Sequence, residues 1–154
     1  MPPFLAVQGR FHLANWFTHN EFPDDWVIKT TQNGWTDNKT GLDWLQHFDK
    51  HTERRRQGAY RMLVLDGHES HVNAEFEAYC KNKNIITLCL PLHSSHLTQP
   101  LDVGCFSVLK KRYSTQIEYL VKAHITHVTK AEFFPAFRNA FLQTMTKENI
   151  LSGF

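Results

Sequence analysis

Apolar residues fall into short runs separated by polar segments, and the two strongest runs lie mid-chain. Met62-Leu63-Val64-Leu65 stops abruptly at Asp66-Gly67, and Ile85 to Leu90 repeats the signal. An unbroken apolar run bounded by turn residues fits a strand buried on both faces better than an amphipathic one. Between the two runs, VNAEFEAYCKNK has helical character and completes a strand–helix–strand unit. Before it, Phe4-Leu5-Ala6-Val7, ended by Gln8-Gly9, and the β-branched stretch Trp26 to Thr31 predict two further strands. Thr36 to Thr40 offers several helix-capping residues, and Leu42, Leu45 and Phe48, with Trp44, form a helical stripe. Glu53-Arg54-Arg55-Arg56-Gln57-Gly58 reads as a solvated turn. Beyond Asp102, Phe106, Leu109, Tyr113, Ile117 and Leu120 recur at spacings of three and four, which makes one apolar face of a long helix. Ala131 to Thr144, with Phe133, Phe134, Phe137 and Phe141 around Pro135, predicts another helix, and Thr146 to Ile150 begins one more. The pattern is that of an α/β fold with a helical C-terminal extension.

Two isolated carboxylates stand out against this pattern. Asp66 ends the first central strand, and ligands of open α/β sheets sit beyond the carboxyl ends of the strands. The polar loop from Pro91 to Pro100 delivers Asp102 in Pro-Leu-Asp-Val-Gly, with the potential to reach the same edge. Such a pair suits a hard cation such as Mg²⁺, which takes one or two protein carboxylates plus water and phosphate oxygens. Each aspartate also has a plain structural reading, Asp66-Gly67 as a turn and Asp102 as a residue favoured by a helix dipole. His68, His71, Ser94, Ser95, His96 and Gln99 flank the proposed edge. The set Cys80, Cys89, His93 and His96 lacks the short paired spacing of a zinc knuckle, so buried free thiols are expected.

Composition narrows the class. With 154 residues, 42% hydrophobic and 21% charged, the chain describes one ordinary globular domain. A formal net charge of +2 does not by itself argue for nucleic acid. Its distribution says more: from Ser107 to Lys130 there are Lys110, Lys111, Arg112, Lys122 and Lys130 against Glu118 alone. Lys110, Lys111 and Arg112 are therefore the candidate phosphate-facing residues, although a solvated helix face explains them equally well. Three cysteines form no even disulfide framework, which points to a reducing compartment. The first residues do not read as a signal peptide and no stretch reads as a membrane span, so an intracellular protein is expected.

LVLDGHESH followed by LPLHSSHLTQPLDVGCFSVLKKRY resembles the catalytic domain of pogo-type transposases of the mariner superfamily, the DDE endonucleases, particularly the fungal ones. Thirty-five residues separate the two aspartates. NGWTDNKTGLDWLQHFDKHT, FFPAFRNAF and the closing NILSGF extend the similarity over most of the chain. The resemblance implies an RNase H-like fold with a central mixed sheet flanked by helices. Residues 1–154 would be one partial endonuclease domain, with a core over 1–125 and a helical extension over 126–154. It further implies that Asp66 and Asp102 are the second and third members of an acidic triad holding two Mg²⁺ (or Mn²⁺) ions. DNA, in the form of transposon ends, would be the partner, the location nuclear, a homodimer the possible assembly, and no small-molecule cofactor is implied. The family's first catalytic Asp lies upstream of the segment resembling Pro2 to Gly9, as do its helix-turn-helix domains, so the triad is expected to be incomplete within these residues. The alternatives are a domesticated, non-catalytic DNA-binding or interaction module and a non-functional transposon remnant.

Overall fold

The computed structural model of the chain describes residues 1–11, 23–66, 73–91 and 98–154. They form two compact units, which are described separately.

The first unit contains β1 (Phe4–Gln8), β2 (Val27–Thr31), α1 (Asn38–Thr52), a 3-10 turn at Glu53–Arg55, β3 (Arg61–Leu65), α2 (Ala74–Asn82) and β4 (Ile85–Cys89). Among the described residues the strands pair in two separate two-stranded sheets, β1 with β2 and β3 with β4, both parallel. A single central mixed sheet was the expectation. Apolar runs do not encode strand direction. The β3–β4 connection runs through a helix, and such crossovers join parallel strands whereas tight hairpins join antiparallel ones.

Side-chain caps start α1 and α2. Asp37 accepts the Thr40 N–H at 2.7 Å and so caps α1, and that bond holds its carboxyl below the usual range. Asn73 caps α2 by accepting the Phe76 N–H at 2.9 Å. Asn84, with φ of 53°, turns the chain from α2 into β4 in the left-handed region that asparagine tolerates.

One face of the β3–β4 sheet packs under the helices. Leu63, Leu65 and Ile85 join Leu45 of α1 and Phe76 and Cys80 of α2 in one buried cluster, with Leu42, Trp44, Phe48 and Tyr79 packed around it. The other face is different. Met62, Ile86 and Leu88 are 67%, 54% and 48% exposed. Register pairs Met62 with Ile86 and Val64 with Leu88, so these residues share one side of the sheet. The two central strands are therefore buried on one face, not on both. An all-apolar run hides this, because alternation cannot be read where both sides are hydrophobic.

A buried ionic network closes the helix side. The Arg61 side chain is 8% exposed and donates from Nη2 to Asp49 Oδ1 at 2.5 Å and to the Lys83 carbonyl at 3.2 Å. Its Nη1 donates to Thr52 Oγ1 at 3.0 Å and to the Asp49 carbonyl at 3.3 Å. The Tyr79 hydroxyl donates to Asp49 Oδ2 at 3.0 Å, and Lys83 Nζ lies 3.4 Å from the same oxygen. Burial alone would raise the Asp49 pKa, but the bonds from Arg61 and Tyr79 and the guanidinium charge outweigh it and hold the carboxyl below its ordinary range. Burial, and then the bond to Asp49, push the Tyr79 hydroxyl up to about 12.

Among the described residues the second unit is helical. A turn at Asp102–Phe106 has π geometry and runs into α3 (Ser107–Lys122), followed by α4 (Lys130–Thr144) and α5 (Lys147–Leu151). Leu109, Tyr113, Ile117 and Leu120 of α3 are half-buried while Lys110, Lys111 and Arg112 are exposed, as the stripe predicts. α3 and α4 pack together with Tyr113 edge-on to Phe133 at 5.7 Å between ring centroids, and the aromatic row continues within α4 through Phe133–Phe137, stacked at 5.7 Å, and Phe137–Phe141, tilted at 5.9 Å. Thr129 and Glu132 form a capping box that starts α4. The expected boundary at 125 falls inside this unit, because α3 packs with α4.

Removing one member of the buried pair leaves the other charge uncompensated. Arg61→Met is expected to cost about 3–5 kcal/mol in urea denaturation, and Asp49→Leu/Arg61→Met together less than Arg61→Met alone. The pH dependence follows from the same groups. The Asp49 contribution is present above its unfolded pKa near 3.8 and is lost as pH falls through the lower folded value. The Tyr79 contribution is present below 10.0 and is lost as pH rises towards about 12. Both losses should shrink in the double variant.

Candidate metal and nucleic-acid site

Asp66 follows the last residue of β3 and is half-buried. The strand end beneath it is fixed on the β4 side by the Leu90 N–H, which donates to the Leu65 carbonyl at 2.8 Å. The carboxylate therefore stands at the carboxyl end of a parallel strand followed by a helix, where α/β sheets present functional groups. Asp66 belongs to the first unit.

Asp102 and Gln99 belong to the second. Asp102 opens the π turn and is half-buried. Its N–H and that of Val103 donate to the Gln99 carbonyl at 3.0 and 3.1 Å. Single π turns within helices recur at functional sites because the extra residue re-aims a side chain. The Gln99 side chain adds an unusual feature: its Oε1 is buried with no hydrogen-bond partner among the described residues. An unpartnered carbonyl oxygen is a hard donor of the kind a hydrated Mg²⁺ takes, either as a ligand or as an acceptor from metal-bound water. Among the described residues no group of three His, Cys, Asp or Glu converges as a ready-made metal cluster. The fit therefore rests on oxygen donors acting one or two at a time, with water and substrate completing the shell.

The π turn is held by the end of the chain. A Cβ placed on Gly104 would stand 2.6 Å from the Asn149 carbonyl oxygen and 2.8 Å from the Gly153 nitrogen, and one on Gly153 would overlap the Pro100 carbonyl. The backbones of Pro-Leu-Asp-Val-Gly and of the closing Asn-Ile-Leu-Ser-Gly thus meet without room for a side chain. Asn149 is fixed in turn, its Nδ2 donating to the Thr144 carbonyl at 2.7 Å. Sequence reading recognises both motifs but not that one clamps the other, and the glycine in each was the available signal.

Of the other predicted site residues, Lys110, Lys111 and Arg112 are exposed along α3. His68, His71, Ser94, Ser95 and His96 lie outside the described residues. The cysteines divide: Cys80 and Cys105 are buried free thiols, and burial pushes Cys80 up to about 11, but Cys89 is exposed at the end of β4. It was expected to be buried; register puts it opposite Leu65 on the helix side of the sheet, but at the last position of β4, beyond the buried cluster that Ile85 joins.

A family model described as DDE superfamily endonuclease matches residues 1–154. The chain is 49% identical over 152 residues to a Cochliobolus lunatus protein named "MFS-type transporter clz9", covering 99% of this chain and 16% of that protein. It is 52% identical over 42 residues to "Chaetoglobosin A biosynthesis cluster protein C" of Chaetomium globosum, covering 27% of this chain and 10% of that protein. The chain thus spans about a sixth of the length of the first relative. Among the described residues no helix is long and apolar enough to cross a membrane. No solved structure is significantly similar.

The clamp makes a direct prediction. Gly104→Ala should cost about 1–3 kcal/mol in chemical denaturation, since backbone and not a flexible side chain has to move. Ser152→Ala, which removes a hydroxyl bonded only to the Asn149 carbonyl among the described residues, should stay within about 0.5 kcal/mol of wild type.

Proposed function

We propose that this chain, which belongs to the DDE superfamily endonuclease family, is the part of an RNase H-like, pogo-type transposase domain that supplies two carboxylates, Asp66 and Asp102, to a divalent-metal centre for DNA strand cleavage and transfer. The observation that carries this reading is Asp66 at the carboxyl end of β3 in a parallel strand–helix–strand unit. The half-buried Asp102 at the π turn and the unpartnered Gln99 Oε1 three residues before it in sequence support it. Mg²⁺ or Mn²⁺, when bound, supplies Lewis-acid polarisation of the phosphodiester and activation of the attacking hydroxyl or water. The chain's own contribution is to hold the two carboxylates on stiff backbone. The strand end carries Asp66, and the π turn pinned through Gly104 carries Asp102. The exposed Lys110, Lys111 and Arg112 on α3 neutralise DNA phosphates. A third carboxylate, from the strand that the family pattern places upstream, completes the centre. DNA is the partner, the nucleus the place of action, and a homodimer the assembly.

A second reading is favoured by the exposed basic triplet on α3. In that reading the domain binds DNA without cutting it.

Residues 1–154 alone are expected to show weak or no nicking of supercoiled plasmid with Mg²⁺ or Mn²⁺. A longer polypeptide that includes the upstream strand should nick, and either Asp66→Ala or Asp102→Ala should lower its rate at least a hundredfold, about 2.7 kcal/mol of barrier. Robust nicking by residues 1–154 that Asp66→Ala abolishes would show that these residues need no further carboxylate. DNA binding that depends on salt and on Lys110, Lys111 and Arg112, with no cleavage by the longer polypeptide, would favour the non-catalytic reading.

A further inference from the structure

The first unit carries a groove of about 410 Å³ between α1 and the β1–β2 sheet, built from residues that neither the metal centre nor α3 uses. Phe4 and Val27, at the starts of β1 and β2, line it with His47 of α1. His47 is 7% exposed, and its Nε2 is 3.0 Å from the Pro2 carbonyl, which fixes that nitrogen as the donor and the ring as part of the groove wall. Phe4 and His47 lie 5.8 Å apart between centroids. Polar ends of Lys29, Asp43, Gln46 and Lys50 complete the lining. Asp43, Gln46, His47 and Lys50 fall at helical spacings of three and four and so share one face of α1.

The charges select the ligand. Two ammonium groups and one carboxylate leave a net charge of +1, which a phosphodiester monoanion balances. Lys29 Nζ already pairs with Asp43 Oδ2 at 2.5 Å, with both side chains about one-third exposed. That pair is weak in water and exchangeable. Lys50 is exposed, and Gln46 beside it offers both a donor and an acceptor. The volume is in the range that holds an organic ligand and exceeds what a bare ion needs. The Phe4 and Val27 surface suits the apolar face of a deoxyribose or base. Arg54 follows Lys50 by four residues and is exposed, which prolongs the cationic line past the end of α1.

We propose that this groove is a second DNA contact, taking one nucleotide of a single strand with its phosphodiester between Lys29 and Lys50 and its sugar or base against Phe4 and Val27. The proposal rests on the DNA reading above but uses a different surface, so the two can fail separately.

The test is fluorescence anisotropy of a labelled single-stranded oligothymidylate with residues 1–154 in EDTA, over a series of salt concentrations. Circular dichroism melts serve as a check on folding. Lys50→Ala should weaken binding several-fold and reduce the slope of log K against log salt by about 0.7, one single-strand phosphate contact. Asp43→Asn should tighten binding several-fold, because it removes the carboxylate that competes for Lys29. A gain of that kind cannot come from loss of fold. Inorganic phosphate should compete only weakly, since it lacks the sugar and base. If either substitution leaves affinity unchanged while Lys110→Ala/Lys111→Ala/Arg112→Ala abolishes binding, the groove proposal is overturned and the DNA reading stands. If residues 1–154 bind no oligothymidylate, the groove proposal falls, and the DNA reading is decided by the longer polypeptide.

Discussion

The fold of the first unit depends on one buried ion pair, Asp49 with Arg61. Arg61 is the first residue of β3, Asp49 lies in the last turn of α1, and the same guanidinium reaches the Lys83 carbonyl at the end of α2. Two helices and the strand that ends at Asp66 are therefore tied at a single point. A charge this deeply placed is tolerated because both terminal nitrogens of Arg61 and both oxygens of Asp49 are bonded, with Arg61 Nε left without a partner among the described residues. The arrangement is directional: the network grips the amino end of β3 while the carboxyl end presents Asp66. A rigid base at one end of a short strand fixes the position of the residue at its other end.

Asp102 is positioned by a different device. At the π turn, backbone packs on backbone at Gly104 and Gly153, so the position of the carboxylate depends on residues near the end of the chain. Salt and pH act on the first device and leave the second untouched, whereas any added side chain at either glycine acts on the second alone. The two carboxylates are thus held by separate physical means in separate compact units. On the other side of β3 and β4, Met62, Ile86 and Leu88 are exposed, although parallel strands are ordinarily covered on both faces.

Much of this was legible in the sequence, for reasons that can be named. Short apolar runs ending at turn residues marked β1 to β4 within a residue or two, capping residues with an apolar stripe marked α1, and helical patterning alone marked α2 to α5. Asp66 was legible because a carboxylate directly after an apolar run marks the end of a strand, the edge where α/β sheets carry their ligands. The Asp49–Arg61–Tyr79 network was not, since its members are scattered over three elements and each is ordinary in its own neighbourhood. Strand direction and the open face of β4 were equally hidden, because Ile85 to Leu90 is apolar on both sides. The π turn has no sequence signature, although the glycine at 104 marked the place where it packs. The groove at Lys29 and Lys50 was missed because its lining comes from β1, β2 and α1 together.

The measurement that bears most directly on the central claim is Mn²⁺ binding, by titration calorimetry or electron paramagnetic resonance, to the longer polypeptide and its Asp66→Asn, Asp102→Asn and doubly substituted forms. If the two carboxylates share a metal centre, each single substitution should weaken binding at least tenfold and the double should be far less than additive. Binding that is unaffected by either substitution, or losses that simply add, would contradict a shared centre and leave Asp66 as a turn residue and Asp102 as a helix-start residue.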